Sequence, residues 1–383
     1  MKTRKSLYNK LLKTIKIKKD TKINNNSIKS FSPYINRRLD VKKLQTLKNN
    51  KIRVCNNLLE INIGDNIKPH CLSFDNALVQ KYLLKNLKGS KHLDPTKFIA
   101  PKQLHSNCWF NTMFVVFFFS DKGRKFFRFF RNLMITGKKY DNTPLHDEEL
   151  RKLLFIFNLY IEASYNQDLN INNVNNEINL HNQIKKLTFN LDTNYLIMKI
   201  YNRITKISPN YYLPNIYEAG NPLEFYEIIM SYMNYNILNI LRINIDSSSK
   251  KRYTNILQKL NNSFYKDHDM IIIEDHKSGM KYDEEYEIEF NKQKYKYKLD
   301  SIILTNKDHY NPNANSHFVS VITINKKPYK FDGSSYSKLT KFNWKKILNK
   351  NNVFTFVENP KYYPEKYTLS TKYGYKILFY YKI

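Results

Sequence analysis

The sequence feature that most constrains the fold is a change of pattern near residue 269. Before it, apolar side chains recur at helical spacing; after it, short β-branched and aromatic runs are separated by turn residues. The predicted helices are 109–119, 125–135, 147–163 and 223–233, and the predicted strands are 270–273, 295–304, 318–324, 329–331, 353–357 and 375–381. Helices followed by strands predict an α+β fold.

Composition divides the chain of 383 residues into three parts. Residues 1–55 are rich in Lys, Arg and Asn and carry only two acids, Asp20 and Asp40, which is typical of a solvated basic arm. Residues 56–95 are expected to connect this arm to a domain over 96–383 and to pack on it. Within that domain, the Asn-rich stretch 166–182 predicts an exposed loop.

The net charge of +31 has two interpretations. The abundant Lys, Asn, Ile, Tyr and Phe all have A/T-rich codons, so a biased genome could generate the excess without selection for a partner. Alternatively, the field attracts polyanions, and the arm makes non-specific contact with nucleic acid. The sequence leaves both open.

The apolar and cysteine content excludes several protein classes. The longest apolar run, 113–119, is too short to span a bilayer, and the basic N-terminus lacks the apolar stretch and cleavage site of a secretory signal, so no membrane partner is expected. Three cysteines are too few for a disulfide scaffold or a four-cysteine zinc site, which indicates a reducing compartment. Cys55 and Cys71 are expected to be structural, His268 and His276 to lie at the surface, and no metal or cofactor is expected.

Cys108 is the candidate nucleophile. It directly precedes the apolar helical run 109–119, so its sulfur is expected at a helix N-terminus. The partial positive charge there favours the thiolate, which is the nucleophilic form. The alternative is a small buried apolar residue.

His317 and Asp332 are the candidate base and orienting carboxylate. A hairpin of strands 317–324 and 329–332, turning at 325–328, would bring them side by side. A carboxylate there would hold the imidazole in one tautomer and stabilise its charged form. Alternatively, both are ordinary residues at strand ends.

The segment around Cys108 resembles the cysteine box of the ubiquitin-specific proteases, which reads Asn–x–Gly–Asn–Thr–Cys–Tyr/Trp–x–Asn. Cys108, Trp109 and Asn111 match this pattern, and Asn107 stands where the family has Thr. Gln103 occupies the position of the family's oxyanion-stabilising Asn and keeps an amide donor.

A second resemblance covers the family's histidine box, which reads Tyr–x–Leu–x–x–Val–Ile, then Gly–His–Tyr, then aromatic–x–Phe–Asp. Residues 297–303, His317 and the final Phe–Asp pair at 331–332 follow it in order. Ser316 replaces the glycine and Phe318 the tyrosine. A third, weaker resemblance is that of residues 221–225 to the family's Gln–Asp–Ala–x–Glu–Phe segment.

The resemblance implies a papain-like cysteine peptidase whose helical half carries the nucleophile and whose antiparallel sheet carries the histidine and aspartate. It assigns residues 96–383 to the catalytic domain. Ubiquitin or ubiquitin-like conjugates are the implied partners, and hydrolysis after their C-terminal glycine is the implied reaction. The implied roles are catalytic for Cys108, His317 and Asp332, oxyanion-binding for Gln103, and cleft-lining for Asn107, Trp109, Ser316 and Phe318.

This sequence departs from the family pattern in three respects. It has no CxxC pairs, so any fingers region must be reduced and metal-free. Gly333 follows Asp332 where the family often has a second acid. The strongly positive net charge is expected to repel the basic tail of ubiquitin.

Two alternatives remain open at this stage. One is a viral cysteine peptidase that processes virion precursor proteins, and the other is a basic, nucleic-acid-associated virion protein with a non-catalytic peptidase-like fold. The composition is typical of a large A/T-rich DNA virus, which predicts a location in the host cytoplasm or inside the virion.

Overall fold

A computed structural model describes most of the chain from residue 55 onward. The described residues are 55, 57–63, 70–88, 93–101, 103, 107–139, 141–165, 193–207, 222–223, 226, 239–245, 256–276, 280–305, 317–334, 339–356, 369–372 and 374–383. The basic arm over 1–54, the predicted loop at 166–182 and Ser316 lie outside them. Of the predicted helix 223–233, only Leu223 and Tyr226 are described, and both are buried.

The described part of the chain is a mixed helix and sheet structure. Its helices are α1 (Ala77–Lys88), α2 (Cys108–Phe118), α3 (Asp121–Phe126), α4 (Arg128–Thr136), α5 (Glu148–Tyr165), α6 (Thr193–Ile207) and α7 (Ile256–Ser263). Its strands are β1 (Glu60–Asn62), β2 (Cys71–Ser73), β3 (Ile240–Ile245), β4 (Met270–Asp275), β5 (Glu285–Phe290), β6 (Gln293–Thr305), β7 (Phe318–Ile324), β8 (Lys327–Phe331), β9 (Thr340–Lys341) and β10 (Lys376–Lys382).

The main sheet has the strand order β3-β4-β10-β6-β7-β8-β9. The pair β3–β4 is parallel, and the other pairs are antiparallel. The long strand β6 pairs with β10 along one side; along the other it pairs first with β5 and then with β7. This sheet carries the hairpin β7–β8 on which the two predicted side chains His317 and Asp332 depend.

The sheet is covered by apolar side chains on both faces. Along β7, Phe318 and Ile322 pack into the core that contains α2, whereas Val319 and Val321 pack into a second core on the opposite face. Alternate side chains of a strand point to opposite faces, so a strand buried on both sides has no polar row. This explains the nearly uninterrupted apolar runs in the second half of the sequence.

Helix α2, which begins at Cys108, is buried along its whole length. All of its residues from Cys108 to Phe118 are buried, and it packs against β7. The chain then turns at Ser120, whose hydroxyl accepts a hydrogen bond from the Gly123 N–H (3.1 Å) and caps α3. A Cβ at Gly123 would lie 2.2 Å from the Val116 carbonyl oxygen, so this turn requires glycine.

The N-terminal hairpin β1–β2 and helix α1 form a small unit beside the main helices. Ile61 and Leu83 share a core with Phe155 of α5, and α1 packs against α4. Cys55 and Cys71 are joined in a disulfide. This bridge differs from the expectation that the cysteines are reduced. Three cysteines are too few for a disulfide-rich fold, but the two that remain beside Cys108 are enough for one disulfide.

Several predicted elements change in detail. The predicted helix 125–135 is broken at Phe127, which separates α3 from α4. The predicted strand 353–357 contributes only an isolated bridge between Phe354 and Leu369. No helix among the described residues is long and apolar enough to cross a membrane.

Candidate active site

Cys108 is the first residue of α2, as the sequence predicts. Its side chain is 4% exposed, and Asn107 precedes it at the helix N-cap. The Asn111 N–H donates to the Asn107 carbonyl (3.0 Å), which closes the first turn directly over the cysteine. The sulfur therefore lies at the positive end of the helix dipole, and it is the one thiol of the chain's three cysteines that is not in a disulfide.

His317 and Asp332 meet because a tight turn fixes the register of their hairpin. Asn325 and Lys326 both have positive φ, 49° and 63°, and Ile324 pairs with Lys327 across them. Positive φ at both central residues is characteristic of two-residue hairpin turns. Since His317 directly precedes β7 and Asp332 directly follows β8, the same register places them side by side.

The His317–Asp332 contact is short and buried. The imidazole Nε2 lies 2.7 Å from the Asp332 Oδ1, and the two side chains are 4% and 5% exposed. Interaction with the Cys108 side chain also raises the pKa of His317, which indicates that the thiol lies beside the imidazole. Nucleophile, imidazole and carboxylate thus form a continuous chain of side-chain contacts.

The electrostatics of this chain favour a charged imidazole. Burial disfavours the imidazolium, but hydrogen bonds and charge interactions with Asp332 and Cys108 outweigh burial and raise the pKa of His317 to about 10. Burial likewise opposes ionisation of Asp332, yet its hydrogen bonds to His317 and Ser334 lower the pKa of this carboxyl below its usual range. At neutral pH the imidazolium and the carboxylate are therefore both favoured.

Ser334 is a site residue that sequence reasoning missed. Its backbone N–H and its hydroxyl both donate to the Asp332 Oδ1, at 2.9 and 2.8 Å, and its Oγ lies 3.4 Å from the His317 Nε2. From the sequence, only the lack of a second acid at Gly333, where the family often has one, was apparent. An Asp that binds the N–H two residues ahead is a common turn motif, so Asp–Gly–Ser was the available signal.

Gln103 is tied to the aspartate loop through its backbone. Its N–H donates to the Gly333 carbonyl (3.0 Å), which joins the segment before the nucleophile to the residue that follows Asp332. A Cβ on Gly333 would approach the Gln103 nitrogen to 3.5 Å and the Phe331 ring to 3.3 Å, so glycine keeps this crossing close. The Gln103 Oε1 is buried without a hydrogen-bond partner among the described residues. Its role as an oxyanion donor stays a prediction.

Three of the four side chains predicted to line the cleft are fully buried, and their contact with a substrate stays a prediction. Asn107, Trp109 and Phe318 are each 0% exposed. Trp109 occupies the second position of α2, which is buried on all sides, and Phe318 faces inward as the first residue of β7. The family pattern identified positions near the nucleophile, but regular helix and strand geometry aims these side chains into the core.

A hydrogen-bond clamp holds the far end of the hairpin to the helical half. The Asp121 carboxylate accepts backbone N–H bonds from Asn325 and Lys326, both at 2.9 Å. Asp121 begins α3, just beyond the end of the nucleophile helix α2. The turn that sets the His317–Asp332 register is therefore fixed to the segment that follows the nucleophile helix.

Two acids at the end of β4, Glu274 and Asp275, are both engaged by neighbouring side chains. Burial opposes ionisation of Glu274, but hydrogen bonds with His276, Arg242 and Tyr375 outweigh it and lower the pKa of this carboxyl to about 2. Asp275 forms a fully buried ion pair with Lys376 (2.8 Å). Paired acids of this kind do not offer free ligands for a cation.

His268 corrects the prediction of a surface residue. Its side chain is 0% exposed, and neither ring nitrogen has a hydrogen-bond partner among the described residues. Burial, reinforced by nearby Lys266, lowers the pKa of His268 to about 4. The ring packs edge-on against Phe264 and Tyr265, which explains why it is retained as a neutral, largely apolar group.

Comparison with known proteins gives only distant structural likenesses. No protein-family model and no curated protein matches the chain. Among solved structures, it is similar to the SAGA Ubp8/Sgf11/Sus1/Sgf73 DUB module bound to ubiquitin aldehyde, with a TM-score of 0.42 and 10% identity over 85% of this chain and 81% of that one.

Two further structures of that module show similar values. A second structure of the SAGA Ubp8/Sgf11/Sus1/Sgf73 DUB module matches with a TM-score of 0.38 and 10% identity, covering 81% of this chain and 75% of the other. The yeast SAGA module with a mutant Sgf73 has a TM-score of 0.37 and 10% identity, with 81% and 76% covered. At TM-scores below 0.5, these likenesses establish neither a shared fold nor a shared activity.

Proposed function

We propose that the protein is a cysteine peptidase of the ubiquitin-specific-protease type, with a papain-like arrangement of its helical and sheet halves. It would hydrolyse peptide or isopeptide bonds that follow the C-terminal glycine of ubiquitin or a ubiquitin-like protein. The observation that carries the proposal is the buried chain of contacts from Cys108 through His317 to Asp332. An activated nucleophile, its base and the group that orients the base are the parts such a reaction requires.

The first half of the reaction is acylation. With His317 holding the proton, the Cys108 thiolate attacks the carbonyl carbon of the scissile bond, and the carbonyl oxygen becomes an oxyanion. The Cys108 backbone N–H and the Gln103 amide are the proposed oxyanion donors, each contributing roughly 3 kcal/mol of transition-state stabilisation. His317 then donates its proton to the leaving amine, which departs and leaves a thioester on Cys108.

The second half is hydrolysis of the thioester. His317, now neutral, takes a proton from water, and the resulting hydroxide attacks the thioester carbonyl. Collapse of the tetrahedral intermediate releases the carboxylate product and restores the thiolate beside the imidazolium. Asp332 orients the ring and stabilises its charge in both halves, and Ser334 holds the carboxylate in place.

The test is covalent capture by ubiquitin carrying a C-terminal electrophile. Full-length protein is incubated with the probe, and intact mass is measured together with that of Cys108→Ser as the matched control. The expected result is one ubiquitin adduct on the wild-type chain and none on Cys108→Ser. Absence of an adduct, combined with unchanged hydrolysis of Gly-Gly isopeptides by Cys108→Ala, would overturn the proposal.

A small electrophilic peptide that ends in glycine separates peptidase chemistry from ubiquitin recognition. Labelling of Cys108 by the peptide but not by the ubiquitin probe would assign the site to another substrate, such as a precursor protein. The two probes share the electrophile, so the difference between their rates measures recognition of the folded ubiquitin domain.

The net charge of +31 supports polyanion binding as a second candidate function. A chain that neutralises phosphates with Lys and Arg loses affinity steeply as salt rises. Full-length protein is therefore expected to bind a random DNA duplex at low salt and to release it by moderate salt. Binding that is weak, or insensitive to salt, would leave codon bias as the explanation of the charge.

A further inference from the structure

Three metal-binding side chains converge at the start of the described chain. One donor atom from each of Cys55, Glu60 and Cys71 lies within 4.8 Å of the other two. Cys55 and Glu60 are half-buried, and Cys71 is exposed. The cluster lies on and beside the β1–β2 hairpin and includes no member of the Cys108–His317–Asp332 site.

The backbone holds these three positions together without relying on the sulfur–sulfur bond. The Cys55 N–H donates to the Glu60 carbonyl (2.9 Å), and the Glu60 N–H donates to the Asn57 carbonyl (3.0 Å), so a compact turn joins the first two. Cys71 opens β2 and pairs with Asn62, two residues beyond Glu60 on β1. Hairpin pairing and the turn therefore keep all three side chains close together.

We propose that Cys55, Glu60 and Cys71 bind one Zn²⁺ when the disulfide is reduced. A dithiol reductant breaks the sulfur–sulfur bond, supplies two electrons and two protons, and is itself oxidised to a disulfide. Zn²⁺ then displaces the two thiol protons and is held by two thiolates and the Glu60 carboxylate. Reoxidation by a disulfide of suitable potential expels the metal and restores the bridge.

The donor set selects zinc over hard cations. Thiolates are soft ligands that favour zinc, whereas Ca²⁺ and Mg²⁺ require an all-oxygen shell. Zinc–sulfur bonds of about 2.3 Å in a tetrahedron place donors roughly 3.8 Å apart, so the two sulfurs must move apart when the bridge is reduced, while Glu60 already lies within 4.8 Å of both. Three protein ligands leave the fourth position to water, and the exposure of Cys71 gives the ion a path of entry.

The oxidised site with its disulfide and the reduced site with Zn²⁺ would stabilise the same local structure. Cys55 precedes β1 and Cys71 begins β2, so a bridge of sulfur or of zinc closes the hairpin whose Ile61 packs against α1 and α5. Ligand binding to the native state adds to its stability in proportion to the logarithm of the metal concentration. The unit would thus keep its fold in both oxidising and reducing surroundings.

The experiment measures zinc content and affinity, independently of peptidase activity. Full-length protein with Cys108→Ala, which removes the third thiol, is reduced with a phosphine, freed of metal and titrated with Zn²⁺ against a chromophoric chelator. The expected result is one Zn²⁺ per reduced chain and none per oxidised chain. Glu60→Gln should weaken Zn²⁺ binding at least about tenfold, because even the loss of a residue that only hydrogen-bonds to a metal ligand lowers affinity by that factor. Cys71→Ser should abolish Zn²⁺ binding.

A second readout covers the case in which Cys71→Ser fails to fold. Reduced Cys108→Ala protein is alkylated with and without equimolar Zn²⁺, and protected thiols are counted by mass. Protection of both Cys55 and Cys71 by Zn²⁺, but not by Mg²⁺, supports the site. Absence of stoichiometric zinc in the reduced chain, or equal alkylation with and without zinc, would overturn it.

Discussion

Replacing Asp332 by Asn is expected to reduce the reactivity of Cys108 sharply while leaving the fold intact. The substitution keeps an oxygen opposite the His317 Nε2 but removes the negative charge. The raised pKa of His317, about 10 against an ordinary 6.5, corresponds to about 5 kcal/mol in favour of the imidazolium. Asp332 and Cys108 share this stabilisation, so assigning half to Asp332 gives about 2–3 kcal/mol, or roughly 30- to 150-fold in the equilibrium constant between the charged and the neutral pair.

The assay is the rate of alkylation by iodoacetamide between pH 6 and 9 without reductant, so that the Cys55–Cys71 bridge stays closed and Cys108 is the reacting thiol. At pH 7 the Asp332→Asn rate should fall, by up to about 100-fold, a limit that is reached only if the neutral pair becomes the dominant form. The exposed Asp75→Asn is the matched control and should react like wild type. An Asp332→Asn rate within twofold of wild type across this pH range, with an unchanged circular dichroism spectrum, would refute the charge-pair argument.

Three further changes test other parts of the structure. Ser334→Ala should slow Cys108 alkylation by about tenfold and shift its pH profile, because Asp332 loses a charge-assisted hydrogen bond, whereas Ser334→Thr should retain the rate. Asp121→Ala should lower the free energy of unfolding in urea by about 2–3 kcal/mol through loss of the turn clamp, and a change below about 0.5 kcal/mol would contradict that role. His268 takes up a proton near pH 6.5 when unfolded but only near pH 4 when folded, so Tm should fall as pH drops through this window. In a His268→Phe variant, Tm should fall less steeply with decreasing pH. Equally steep falls of Tm in the wild type and the variant would contradict this role of His268.

The helical and strand patterns of the sequence were enough to predict the elements that carry the site. Strand β7 was predicted with its observed bounds, and α2 with its buried character, because both are long apolar runs. The hairpin β7–β8 followed from a turn between two β-rich runs. That local pairing is why residues fifteen apart, His317 and Asp332, could be expected side by side.

The side-chain environment was harder to predict than the backbone. Trp109 and Phe318 lie in positions that the family pattern places near the nucleophile, but only the packing of α2 on β7 shows that both rings are fully buried. Ser334 was missed because its contribution depends on the geometry of one turn. Neither property is encoded in residue type alone.

Other elements were missed because their signals are weak or depend on distant partners. In β5, Glu alternates with Tyr, Ile and Phe, a half-buried edge pattern that the predicted strands did not include. Strand β3 also alternates, and its parallel pairing with β4 requires a long crossover that no local turn announces. The short strands β1 and β2 are held by tertiary contacts and by the Cys55–Cys71 bridge rather than by strand propensity.

The position of β10 in the strand order bears on when the main sheet can be completed during synthesis. This strand is the last along the chain, yet it lies between β4 and β6 in the middle of the sheet. Until β10 has been synthesised, no strand lies between β4 and β6. The apolar side chains of these two strands that pack beside β10 then remain exposed to water. The sheet that supports the β7–β8 hairpin is therefore complete only when residues 376–382 have been inserted between β4 and β6.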